Sequence, residues 1–159
     1  MADGLRRLDH DTGLSLVCRS GGRALAVPLQ HVAETMRPLA TEPLAGAPAF
    51  VVGVSLIRGA PTPVVDVAAL FGGVSATAAT RFVTLRAGAR HVALAVDAVV
   101  GIRAIDRATI EAVPPLLAEA AAELVEAMGR LDAELLLVLR GARVLTAAAW
   151  AALDAERTS

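Results

Sequence analysis

The sequence predicts an all-β protein with short helices, built from two related, closed or nearly closed β-barrels. Three observations lead there. Short β-type runs bounded by glycine and proline follow one another closely, about nine or ten in number. A glycine-bearing hairpin pattern recurs along the chain. The residues are 55% hydrophobic but only 3% aromatic, with alanine and valine dominant, so any core is made of small side chains that suit narrow barrels.

The hairpins come first. "CRSGGRALAV" from Cys18, "LRAGARHVALAV" from Leu85 and "LRGARVL" from Leu139 each run strand, arginine, short glycine-bearing turn, arginine, strand. Glycine supplies the positive φ that such a turn needs. The flanking pairs, Arg19 with Arg23 and Arg86 with Arg90, belong near the hairpin ends in solvent. Recurrence of the pattern from Arg19 to Arg86 suggests a duplicated barrel. Between the hairpins, "FVVGVSLIR", "TPVVDVAAL" and "RFVTLR" read as further short strands.

Helical signals occupy three places. "PLQHVAETM" (Pro28 to Met36) suits one or two turns. "PPLLAEAAAELVEAMG" opens on prolines, which a first helical turn tolerates, and ends at Gly129. "TAAAWAALDAE" opens on a threonine cap, and its Ala149, Trp150 and Leu153 share one face, predicting a C-terminal helix across a barrel end. Residues 1–12 are expected to be flexible, 13–155 to form one domain of two barrel subdomains, and 156–159 to fray.

Charge and composition exclude several function classes. The 159 residues carry 15 basic and 16 acidic groups for a net charge of -1, and every basic one is arginine. That balance offers no footprint for nucleic acid or anionic lipid. The charged start "MADGLRRLDHDTG" and the Gly- and Pro-broken stretch Pro43 to Ile57 fit neither a signal peptide nor a membrane span, which points to a cytoplasmic protein. Cys18 stands alone, so no disulfide framework or cysteine-built zinc site is expected. It falls where Leu85 and Leu139 stand in the other hairpins, which makes it a core thiol.

Catalytic groups are scarce. His10, His31 and His91 lie far apart without metal spacing, and no phosphate loop is present, so neither an enzyme nor a cofactor is expected. Asp66 and Asp97 each interrupt a valine-rich run, where a carboxylate ends a strand by accepting hydrogen bonds from backbone amides. Arg58 is the exception: it follows Leu56 and Ile57, precedes Gly59, and sits at a strand end. Its guanidinium either forks to a carboxylate such as Asp66 or Glu34, or is offered to a partner. Physics alone stops at an all-β binding module.

The residues go further by resemblance. "VGVSLIRGAPTPVVDVAALFG" resembles the signature G-V-x-N-L-R-G, three residues, P-V-I-D-L and a following L-G of the CheW-type coupling domain of bacterial chemotaxis. Gly53, Val54, Arg58, Gly59, Pro63, Val64, Asp66, Leu70 and Gly72 stand in register. Upstream, "VPLQHVAETMRP" is similar to the family's V-x-E-I-x-R-P segment through Val32, Glu34, Arg37 and Pro38; downstream, "VALAVDAVVGI" and "ELLLVLRGARVL" resemble later strands. The likeness runs from about Gly13 to Leu153.

The resemblance implies two five-stranded, SH3-like β-barrels in one unit and a function without catalysis: an adaptor between the cytoplasmic tip of a chemoreceptor and the regulatory domain of a CheA-type histidine kinase, working at receptor arrays without inserting into the membrane. Carried over by position, Val32, Glu34 and Arg58 are the expected receptor-side residues, and Gly53 with Val54 the kinase side. Leu56 replaces the usual asparagine before L-R-G, and Arg140 replaces an Asp or Asn of the final strand. The alternative left open is an orphan adaptor of this fold serving motility, development or second-messenger control.

Overall fold

In the computed structural model, residues 14–47, 49–70, 79–104, 125–131, 134–139 and 151 are described. Among these residues are ten strands: β1 (Leu14–Ser20), β2 (Arg23–Pro28), β3 (Val32–Met36), β4 (Val51–Ile57), β5 (Ala60–Asp66), β6 (Arg81–Ala87), β7 (Arg90–Val96), β8 (Ala98–Ala104), β9 (Val125–Leu131) and β10 (Glu134–Leu139). They form two five-stranded sheets, ordered β8-β1-β2-β10-β9 and β3-β6-β7-β5-β4.

The two sheets share one plan. In each, an edge strand pairs antiparallel with a hairpin, β1–β2 or β6–β7, whose second strand pairs parallel with one strand of a further antiparallel pair, β10–β9 or β5–β4. The two predicted hairpins therefore occupy equivalent places, as the recurrence from Arg19 to Arg86 anticipates. Among the described residues nothing pairs β8 with β9 or β3 with β4, so two sheets of strands are shown but the expected barrel closure is not. The third predicted hairpin, beyond Leu139, lies outside the described residues.

Packing explains the unbroken apolar runs. Leu16, Cys18, Leu25 and Val27 of the first sheet pack against Val83, Leu85, Val92, Leu94 and Val96 of the second. The opposite face of the second sheet buries Ile57, Val64, Phe82, Ala93 and Ala95. A strand buried on both faces cannot alternate apolar with polar, which is why "VALAV" from Val92 to Val96 is continuous. Each fully buried valine or leucine contributes about 1.5–3 kcal/mol relative to exposure. Cys18 is one of these core residues, and burial pushes its thiol up to about 12.

The helical expectations need correction. Of "PLQHVAETM", only Leu29–His31 is helical, as a single 3-10 turn; from Val32 the chain is strand, because the backbone of β3 finds its partners on β6. The helix expected to end at Gly129 is overturned over its last residues: Val125–Leu131 is a strand paired with β10. Alanine and glutamate are good helix formers, but intrinsic preference is small beside tertiary pairing, and the ladder overrides it. The C-terminal helix falls, but for Ala151, outside the described residues. "TPVVDVAAL" is strand only to Asp66, after which Val67–Leu70 make one helical turn, α1.

Both aspartates act as the sequence indicates. Asp66 Oδ1 accepts the amides of Ala68 and Ala69 at 3.0 and 3.4 Å, capping α1. Asp97 Oδ2 accepts the Gly21 amide at 3.0 Å, and the Asp97 amide donates to the Arg19 carbonyl at 2.9 Å. The end of β7 is thereby tied to the β1–β2 turn of the other sheet. Among the described residues no helix is long and apolar enough to cross a membrane.

Candidate interaction surface

The β4–β5 hairpin closes on the pair Ile57↔Ala60, leaving Arg58 and Gly59 as its two loop residues. Both have positive φ, 53° and 78°. Positive φ at both central residues is the signature of a type I′ turn, whose twist matches the flanking strands. Among the described residues Arg58 is the one non-glycine with positive φ. A long side chain is thus held at a conformation that L-residues avoid, at the apex of a hairpin, with 79% of that side chain exposed.

From there the guanidinium reaches back across the sheet. Its Nε donates to Glu34 Oε1 at 3.1 Å and an Nη to Oε2 at 2.8 Å, a two-point fork. Glu34 lies on β3 and Arg58 at the tip of β4, the two edge strands of the second sheet. The fork therefore joins edges that no ladder joins. Hydrogen bonding from Arg58 holds the Glu34 carboxyl below its ordinary value, with the Coulombic fields of Arg58 and His91 in the same direction and desolvation opposing; Arg58 is raised correspondingly, first by the same bond.

A local irregularity aims Glu34. The β3–β6 register shifts between Val32 and Glu34, and the buried Thr84 hydroxyl fills the gap, accepting the Glu34 amide at 3.1 Å and donating to its carbonyl at 3.3 Å. Val32 is half-buried against the central core, and its carbonyl accepts Arg86 Nη1 at 2.9 Å. So Val32 positions β3, while Glu34 and Arg58 are the polar groups presented.

Gly53 and Val54 play a different part from the one their position suggests. The segment after β3 folds back along β4, and Glu42 exchanges both backbone hydrogen bonds with Val54, at 2.9 and 2.8 Å. Thr41 and the Ala40 carbonyl meanwhile engage the buried Ser55 hydroxyl. A Cβ on Gly53 would overlap the Glu42 carbonyl oxygen and lie 2.6 Å from its carbon. Gly53 is thus buried beneath its own chain, and the edge of β4 at Val54 is already paired. What β4 presents outward is Val52, half-buried Val54 and Leu56, the last 67% exposed.

Of the five residues expected, the structure brings Glu34 and Arg58 into contact, sets Val54 in an apolar stripe leading to Arg58, and places Val32 and Gly53 as supports. Sequence reasoning missed Thr84, the hold of Arg86 on the Val32 carbonyl, and the exposure of Val52. An apolar run such as "FVVGVSLI" carries no alternation to reveal its outward face. Among the described residues no group of His, Cys, Asp and Glu is arranged to hold a metal ion.

Comparison with known proteins follows the same lines. Residues 15–149 match the CheW-like domain. This chain belongs to the CheW-like domain family. The solved scaffolding protein TtCheW from Thermoanaerobacter tengcongensis is similar in fold, with a TM-score of 0.76 at 20% identity, over 87% of this chain and 95% of that one. Comparison with curated proteins finds no sequence match.

Proposed function

We propose that this protein is a non-catalytic adaptor that couples the cytoplasmic tip of a chemoreceptor to the regulatory domain of a CheA-type histidine kinase. Residues 13–155 act as one domain of two barrel subdomains, in the cytoplasm at receptor arrays. The observation that carries the reading is Arg58. The chain accepts an unfavourable backbone conformation to hold this guanidinium, largely exposed and forked to Glu34, beside an exposed apolar stripe. Apolar contact flanked by an oriented charge pair is the make-up of a protein-recognition surface. Glu34 and Arg58, with Val32 beneath them, serve the receptor side; Val54, on the strand that Gly53 allows to be covered, serves the kinase side.

The test is calorimetric titration with the regulatory domain of each CheA-type kinase in the source genome, and with a receptor-tip fragment. Saturable binding in the micromolar range or tighter to one kinase domain is expected. Arg58→Glu should abolish or greatly weaken the receptor interaction while leaving the melting temperature nearly unchanged, because a rim charge acts on recognition more than on the core. Absence of binding to every kinase domain at high concentration would overturn the adaptor reading. A large fall in melting temperature would make Arg58 a structural residue instead.

A further inference from the structure

Two arginines outside this surface meet in one cleft. Arg37 follows β3 and Arg81 opens β6; the register Met36↔Phe82, continued by one residue, sets them opposite each other. Like charges directly opposite on neighbouring strands repel. Among the described residues neither guanidinium has an ion-pair or hydrogen-bond partner, whereas Arg58 is forked to Glu34 and Arg86 is bound to two carbonyls. Both line an open cleft of about 570 Å³ with Pro38, Thr80, Ala98 and Val99.

Among the described residues the acid in that cleft forms no ion pair with either arginine. Asp97 also lines it, but its Oδ2 is engaged by the Gly21 amide and its carbonyl accepts the Thr80 hydroxyl. Thr80 is held further by its amide, which donates to the Val96 carbonyl at 3.1 Å. The floor is therefore fixed by bonds that join both sheets, the walls are small and apolar, and two fork-shaped donors are left over. Paired guanidinium groups fork to carboxylate or phosphate, and the small apolar walls favour a carboxylate carried on a hydrocarbon side chain.

We propose that the Arg37–Arg81 cleft receives an acidic side chain, Asp or Glu, of a protein partner. This site is separate from the Arg58 tip, and it rests on the adaptor reading only in taking the partner to be a protein. The repulsion between the two arginines is relieved when the carboxylate enters, so docking adds charge neutralisation to apolar contact with Pro38, Ala98 and Val99.

The full-length protein, labelled with nitrogen-15, is titrated at low salt with a blocked peptide bearing two glutamates, with its glutamine counterpart, and with inorganic phosphate. Saturable amide shifts are expected at Arg37, Thr80, Arg81, Ala98 and Val99 with the glutamate peptide and not with the glutamine peptide. R37Q and R81Q should each weaken that binding about five-fold or more while leaving the remaining spectrum, and so the fold, unchanged. Equal shifts from both peptides, no saturable shift, or binding indifferent to R37Q and R81Q would overturn the proposal. Tighter binding of phosphate than of the glutamate peptide would also overturn it, by making this a small-anion site. The peptide titration reads the cleft whether or not a kinase domain binds, so the two proposals fail separately.

Discussion

Gly53→Ala tests the account of β4 most directly. The added Cβ would overlap the Glu42 carbonyl oxygen, lie 2.6 Å from its carbon and 3.0 Å from Pro43 Cα. All three are backbone atoms of one segment, so no flexible side chain is there to yield. Two terms add. The segment carrying Glu42 must swing away, so the paired hydrogen bonds between Glu42 and Val54 are lost; at a net of about 1 kcal/mol each, that costs about 2 kcal/mol. Alanine must also hold φ near +156°, and a residue forced into such a region adds about 1–3 kcal/mol of strain. The expected destabilisation is therefore about 3–5 kcal/mol, read as a lower urea midpoint at unchanged slope. A loss below about 1 kcal/mol would refute the reasoning, since it would mean that Glu42 does not pack over Gly53 in solution. Because this glycine supports the fold, any loss of kinase binding in the variant should track stability rather than the removal of a contact.

Two further predictions follow from the titratable groups. With its folded value lowered by Arg58, Glu34 contributes stability that is present above the ordinary glutamate value and lost as the pH falls through the folded one. A carboxyl-carbon NMR titration should place Glu34 below ordinary glutamates and Arg58→Gln should move it back up; identical midpoints would deny the fork in solution. Cys18, buried with its thiol pushed up to about 12, should resist a thiol-specific reagent in the native protein and react on unfolding, because the thiolate is the nucleophile. Rapid stoichiometric labelling of the folded protein would contradict its place in the core.

Local chemistry was legible in the chain wherever the cause is local. A glycine turn between two apolar runs needs only its own dihedrals, so the β1–β2 and β6–β7 hairpins can be read directly, as can the aspartates that end β5 and β7. Helix and strand were confused where the ladder lies elsewhere in the chain: nothing within Val125–Leu131 announces β10. The family signature is likewise legible, because Gly53, Arg58, Gly59 and Asp66 each answer a backbone demand of one hairpin and the turn after it.

The sequence by itself determined the all-β class, the hairpins, the buried thiol and membership of the CheW-like family. Only the tertiary structure showed which carboxylate Arg58 meets, Glu34 rather than Asp66, across 24 residues of chain, because that pairing depends on how far the sheet brings its two edge strands together. The same holds for Gly53, whose burial depends on a segment folding back over β4, and for Arg37 with Arg81, whose meeting depends on the β3–β6 register. Turns and strand ends are set by neighbours in sequence; whether an ambiguous segment becomes strand, and which side chains meet, is set by ladder and register, and those are properties of the assembled sheets.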